Sequence, residues 1–337
     1  MGKQLPVPVF DLHCDLLSYL AFAKNGSPMN EDDIGAAIPH LQRGHVKLQV
    51  LAIFTPANPD KNGHGLHQAG IYKDLLANYS DYVEAAITAE KGLDLSISDR
   101  IKVIPAIENA SGFCTDDEDL KTGFATLEKI IADTGPLLYI GFTHWSENRF
   151  GGGNDCHTGL KDDGRALLEY LDGRQIAVDF SHASDELAFE ILDYIDTHHL
   201  TIPVIASHSN FRIIQLHERN LPDELASEII RRNGLIGMNF IQPFVHHKRP
   251  EALFEHIQHG LQLGGGHAVC FGADYFYEAM APPTAGFETF FFDAHCNASK
   301  FPAILEELKR HVSAEAVQNV SHRNVTNFIQ KLWSSHP

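Results

Sequence analysis

Apolar residues in this chain come in short, nearly unbroken runs, each followed by a longer stretch whose apolar positions recur at helical spacing. Eight such runs, rich in Val, Ile, Leu and Phe, lie at residues 7–12, 47–54, 101–107, 137–143, 176–181, 202–207, 235–240 and 268–272. Short runs that are apolar throughout suit strands buried on both faces, and strands alternating with helices build a parallel sheet. Eight repeated β-α units predict an α/β fold of the (β/α)8 TIM barrel type. The intervening helices are expected at 71–93, 185–198 and 222–233. Asp223 and Glu224 sit in the first turn of the last of these, and Asn233-Gly234 ends it.

Two connections lack either pattern and are expected as loop insertions on one barrel face. They lie around 144–163, which carries Gly151-Gly152-Gly153, and around 275–299, which is dense in Phe and Pro. Gly264-Gly265-Gly266 precedes the eighth run instead of joining a strand to a helix N-terminus, so it reads as a turn and not a phosphate cradle. There is no internal repeat and no Ser- or Pro-rich linker. A single domain over residues 1–337 is therefore expected, with room for insertions beyond the roughly 250 residues such a barrel needs.

Charge narrows the partners. Twenty-six basic and 44 acidic side chains give a net charge of −18, which repels phosphate backbones and anionic headgroups. No nucleic acid and no membrane is expected as a partner. With no apolar signal core at the N-terminus and no anchor tail, a cytoplasmic location is expected. The 5 cysteines, at 14, 114, 156, 270 and 296, are odd in number, scattered and without a Cys-x-x-Cys pair, so free thiols are expected. Histidine is the anomaly, with 21 copies, and imidazole is the commonest metal ligand.

In a barrel of this type the chemistry sits at the C-terminal ends of the strands. His13 and Asp15 follow the first run, Glu108 the third, His144 the fourth, His182 the fifth, His208 the sixth and Asp274 the eighth. Histidines and carboxylates converging on one barrel face repel unless cations are held among them, so a metal centre is the economical reading. His13 and Asp15 lie two apart and share one side of an extended segment, within reach of one cation. Glu108 offers two oxygens and can bridge two ions, with His182 and His208 as nitrogen donors to the second. The histidines at 64, 67, 157, 198, 199, 246, 247, 256 and 259 fall in expected helices or loops and are assigned surface or packing roles. Arg219 has, on the residues alone, two open readings, a guanidinium fork for a carboxylate and an ion pair with Asp223 or Glu224 at the entry to its helix.

These residues stand in ordered segments: Phe10-Asp11-Leu12-His13-Cys14-Asp15, Ile38-Pro39-His40-Leu41, Ile107-Glu108-Asn109-Ala110, Phe142-Thr143-His144, Val178-Asp179-Phe180-Ser181-His182-Ala183-Ser184, Pro203-Val204-Ile205-Ala206-Ser207-His208-Ser209, Arg219-Asn220-Leu221-Pro222-Asp223 and Gly272-Ala273-Asp274-Tyr275. Over nearly its whole length the chain resembles the membrane dipeptidase (renal dipeptidase) family of zinc metallopeptidases. The resemblance implies two zinc ions, one on His13 and Asp15, the other on His182 and His208, with Glu108 bridging. It further implies that Arg219 holds the substrate's C-terminal carboxylate, that His144 contacts the scissile carbonyl oxygen, that Asp274 shuttles the proton, and that the chain forms a homodimer. The sequence departs from the family pattern at Phe276 and Tyr277, at Ile241, and at Asn109-Ala110, which bears on substrate identity.

The resulting expectation is a zinc-dependent dipeptidase that cuts small dipeptides through a metal-bridging hydroxide, formed from a water whose pKa falls from 15.7 to roughly 7 on binding. The alternatives are a binuclear amidohydrolase acting on an N-acyl amino acid, lactone or other small amide, and, from another class, a catalytically silent metal-retaining binding protein.

Overall fold

The structure is a computed structural model that describes residues 6–56, 63–88, 90–280 and 289–333. All eight expected strands form: β1 Val9–Cys14, β2 Val46–Phe54, β3 Ile101–Glu108, β4 Tyr139–Gly141, β5 Ala177–Asp179, β6 Val204–Ile205, β7 Ile236–Met238 and β8 Val269–Phe271. They pair in parallel in the order β7-β8-β1-β2-β3-β4-β5-β6. A parallel bridge between Ala206 and Ile236 closes the ring.

At that seam between β6 and β7, Ala206 N donates to Leu235 O and Gly237 N to Ala206 O, each at 2.8 Å. Beyond the bridge, the side-chain amide of Asn210 accepts from Asn239 N at 3.0 Å and donates to Asn239 O at 3.0 Å. A side chain thus replaces a strand's peptide group in the ladder. Gly237 and Gly272 let the chains close up here, because a Cβ at either would press into Ser207 O.

Alternation along the strands sorts their residues into two layers. Val9, Ile53, Val103, Ile140, Val178, Val204, Ile236 and Val269 join the helices in the outer core. Phe10, Leu12, Leu48, Val50, Ile104, Ala106, Ala177, Ile205 and Cys270 fill the barrel interior. The C-terminal helix Asn324–Trp333 contributes Val325, Phe328, Ile329 and Leu332 to this inner cluster. It stops the N-terminal end of the barrel with an apolar plug. Toward the other end, the same inward positions turn polar: Ile104 and Ala106 lead to Glu108, Ala177 to Asp179 and Ser181, Ile205 to Ser207, and Cys270 to Asp274.

The helix expected at 71–93 is corrected. It runs over His64–Asn78 and gives way to a short strand, Val83–Ala85, which pairs with the start of β3 at Val83 and Ile101. A helical apolar spacing continues through Tyr79, Tyr82 and Val83, but pairing with β3 buries Val83 in the outer core. A small antiparallel pair, Ile87–Thr88 with Gly92–Leu93, follows. The other two helices form at Asp185–Thr197 and Asp223–Arg231. The glycine triplet leads into a single 3-10 turn, Gly265–His267, with Gly264 as its left-handed N-cap.

The insertion around 144–163 folds onto its neighbours. Asn148 Nδ2 donates to Asn109 Oδ1 at 2.9 Å and to Phe142 O at 2.7 Å, and Gly153 bridges to Ala183. Of the insertion around 275–299, residues 281–288 lie outside the described residues. Its flanks pack an aromatic group beside the barrel mouth, with Phe276 against Phe290 and Phe291 at ring separations of 4.9 and 5.6 Å.

Candidate metal centre

The strand ends bring the expected residues together. Glu108 is the last residue of β3, and its two oxygens point to opposite sides of the site. Oε2 lies 3.2 Å from His13 Nε2, while Oε1 lies 2.7 Å from His182 Nε2 and 3.6 Å from His208 Nε2. Asp15 Oδ2 stands 4.0 Å from His13 Nε2. Asp15 has left the strand and occupies the N-cap position of the helix Leu16–Phe22, so a turn and not strand alternation aims it inward.

Among the described residues three sets of donors can hold an ion, each with ligand atoms within 4.8 Å of one another: His13, Asp15 and Glu108; Glu108, His182 and His208; and His13, His208 and Asp274. The first two are the sets expected from the sequence, sharing Glu108. The third arises because Asp274 Oδ1 approaches His13 Nε2 to 3.6 Å. A cation fits here on local grounds. His13 Nε2, Asp15 Oδ1 and Glu108 Oε2 are all withdrawn from solvent without a hydrogen-bond partner, a costly state for polar atoms that ligation relieves.

Burial sets the protonation. It drives the Asp15 carboxyl well above the usual carboxylate range, reinforced by the nearby Glu108 charge. It raises Glu108 to about 8 against the pull of Arg219, and Asp274 to about 7 against the pull of His13. His182 and His208 fall well below the ordinary imidazole value, and His144 to about 3, again chiefly through burial, with the Arg219 cation adding to it. Burial thus favours the neutral, ligating form of the imidazoles and pushes the carboxyls toward their protonated form, a shift that a bound divalent cation reverses.

Around this core stand the other expected residues. His144, its side chain 27% exposed, places Nε2 3.8 Å from Glu108 Oε1 and packs edge-on against Phe54. Asp274 adopts a left-handed backbone, φ 63°, and its Oδ2 accepts from Asn239 Nδ2 at 2.8 Å. Arg219 is buried, donating from Nη1 to Ser209 Oγ at 2.7 Å and from Nη2 to His208 O at 3.0 Å. Its Nη2 also lies 3.4 Å from His182 Nε2, and its Nε has no partner. Among the described residues no carboxylate pairs with it. Asp223 is taken by His259 at 2.9 Å, so the ion pair at the helix entry does not form.

The sequence reading passed over a supporting layer. His13 Nδ1 meets the Tyr139 hydroxyl at 2.7 Å, and that hydroxyl donates to Leu12 O at 3.1 Å. His208 Nδ1 meets Ser207 Oγ at 2.7 Å, backed by Asp179. Asn239 orients Asp274. The available signal was a polar residue at an inward position of a buried strand, as at Asp179 and Ser207. The departures from the family pattern are structural in part. Asn109 takes φ 74° and ties its side chain to Thr55 O, Pro56 O and Ser111 N, while Ile241 is buried and bridges to Phe291. The histidines set aside stay outside the site. His256, for instance, spends both nitrogens on Phe211 N and Val245 O.

A model of the membrane dipeptidase family, peptidase family M19, matches residues 4–333. The chain belongs to that family. Among curated relatives, the dipeptidase tcpJ of Claviceps purpurea is 28% identical over 183 residues, which are 52% of this chain and 39% of the relative. The chain thus spans well under half the length of that relative. Among solved structures, the fold is shared with a metallopeptidase from Rhodobacter sphaeroides liganded with a phosphinate mimic of L-Ala-D-Ala, at TM-score 0.81 and 18% identity, covering 97% of this chain and 100% of that one. It is shared also with the dipeptidase AC of family M19, at TM-score 0.78 and 18% identity, covering 98% and 100%. Membership in the M19 family accounts for the closed barrel and for the class of metal-dependent hydrolases.

Proposed function

We propose that this M19 protein is a zinc dipeptidase, with two zinc ions per chain and small dipeptides as substrates. The observation that carries the reading is Arg219, a buried guanidinium without a carboxylate partner among the described residues, set 3.4 Å from His182 of the candidate metal site. A buried cation of this kind is poised for an anion supplied from outside, and a guanidinium fork suits a carboxylate. A carboxylate held this close to the reacting centre leaves room for one residue beyond the cut.

His13, Asp15 and Glu108 would hold one ion, and Glu108, His182 and His208 the other. The mixed nitrogen and oxygen donors suit zinc. Bound there, the ions supply a Lewis acid for the carbonyl and a water acidic enough to react near neutral pH. His144, neutral and partly open to the mouth, donates a hydrogen bond to the carbonyl oxygen as charge builds on it. Asp274, with Oδ2 fixed by Asn239, uses Oδ1 to take the water's proton and return it to the leaving amine.

A cytoplasmic setting, a single domain and a homodimer belong to the same proposal. All five cysteines are free, which suits a reducing compartment, and among the described residues no helix is long and apolar enough to cross a membrane. Zinc content per chain and hydrolysis of L,L and L,D dipeptides before and after chelation test the reading. About two zinc ions with chelator-sensitive cleavage are expected. Two ions without dipeptide cleavage would move the substrate to an N-acyl amino acid or another small amide, and a chain without metal would overturn the proposal.

A further inference from the structure

The two metal positions are unequal in charge. The position on His13 draws on two carboxylates, Asp15 and Glu108, while the position on His182 and His208 has only its share of Glu108. The second also faces the Arg219 cation, whose Nη2 is 3.4 Å from His182 Nε2. A divalent ion there would sit beside a fixed positive charge with little negative charge among its ligands.

Behind His208 lies a buried carboxylate that the mechanism does not use. Asp179, 4% exposed, ends β5. Its Oδ1 accepts from Ser207 N at 2.7 Å and Ser181 Oγ at 2.8 Å, and its Oδ2 from Ser207 Oγ at 2.5 Å. Ser207 Oγ also contacts His208 Nδ1 at 2.7 Å and Ser181 Oγ at 3.2 Å. The serine has one hydroxyl proton, and the carboxylate is both the nearest and the strongest acceptor. That proton goes to Asp179, so His208 Nδ1 must carry its own proton and donate it to Ser207 Oγ. His208 Nε2 is then left as a bare lone pair directed into the site.

We propose that Ser207 and Asp179 are positioning residues for the metal position on His182 and His208. Acting through His208 Nδ1, they lock the ligating tautomer and supply the negative charge that this position lacks among its ligands. His13 has a weaker counterpart, since its Nδ1 meets the Tyr139 hydroxyl, which passes its proton to a neutral carbonyl, Leu12 O. Relays of this kind behind ligating histidines change metal affinity by about 10- to 100-fold. The inference rests on the binuclear reading.

The test uses the whole 337-residue chain, stripped of metal and then titrated with Co2+. Long-range nitrogen-proton correlation spectra of the metal-free protein report the His208 tautomer directly. Wild type is expected to show His208 protonated on Nδ1 and to take up two Co2+. Ser207→Ala, which leaves the Asp179 contacts to Ser181 and to Ser207 N in place, should shift His208 toward the Nε2-protonated form. It should weaken one Co2+ step by about 10-fold or more and leave the other within about 2-fold. Asp179→Asn should act in the same direction, and Tyr139→Phe should weaken the other step. An unchanged tautomer and two unchanged steps in Ser207→Ala would overturn the inference while the binuclear site stands, as would equal weakening of both steps. A wild-type chain that takes up no Co2+ would overturn the metal reading and this inference with it.

Discussion

His182 Nε2 and His208 Nε2 face each other across 3.1 Å, and both point at one carboxylate oxygen, Glu108 Oε1, from 2.7 and 3.6 Å. Two neutral imidazoles and a carboxyl in this arrangement compete for protons that a cation replaces. The pH dependence of the metal-free protein follows. Glu108 and Asp274, raised to about 8 and about 7 from ordinary values of 4.5 and 3.8, stabilise the fold at low pH and lose that contribution as pH rises through 7 and 8. His182 and His208, lowered from 6.5, act oppositely, and their contribution is complete above that value. Above pH 6.5 only the carboxyls remain. The melting temperature of the metal-free protein is expected to fall between pH 6.5 and 8.5, while the zinc-loaded protein holds steady. Calorimetry at three pH values checks this, and a constant gap between the two forms would count against it.

Arg219→Met is expected to raise KM for dipeptides by about 10- to 100-fold, the weight of a lost charge-assisted hydrogen bond. Substrates whose terminal carboxylate is blocked as an amide should be hydrolysed as by wild type. Steady-state kinetics on a matched acid and amide pair decides it, and an unchanged KM for the acid would remove the carboxylate role.

His144→Ala should lower kcat by about 10²- to 10³-fold, as the loss of one oxyanion donor does. Its ring touches Phe54 and His182 but is not needed for any ligand set, so zinc content should stay at the wild-type level. Metal analysis beside kinetics separates a donor from a ligand.

Asp274→Asn should abolish turnover with both metals retained, because an amide neither takes nor returns a proton. The approach of Asp274 Oδ1 to His13 Nε2, 3.6 Å, leaves a ligand role as the competing outcome. Loss of one zinc equivalent in this variant would assign Asp274 to the metal. Full activity would point to a different proton carrier.

Much of this was legible in the sequence because barrel strands are short, apolar and end at a common face. Glu108, His182 and His208 could be placed from that rule alone. The supporting residues could not, since their partners are remote in sequence. Tyr139 reaches His13 across 126 positions, and nothing local to either residue marks the pair. The helix overrun past Asn78 has a related cause, because Val83 carries an apolar spacing that a helix or a strand can use, and only β3 decides between them. The C-terminal helix that plugs the barrel was unread for the same reason. Its amphipathic face looks like any surface helix until the barrel's open end is known.

The seam held by Asn210 has a consequence for how activity is lost. Peptide hydrogen bonds from Ala206 N to Leu235 O, Gly237 N to Ala206 O and Ser209 N to Gly237 O join these two strands, and beyond them one rotatable side chain makes two further closing bonds. His208 and Arg219 follow the strand on one side of it, Asn239 and Asp274 the strands on the other. Opening at this point would part the reacting groups while the plugged end of the barrel stays folded. Amide hydrogen exchange at Asn239 and its neighbours is expected to outpace that of β2 and β3, and inactivation on heating is expected to precede global unfolding.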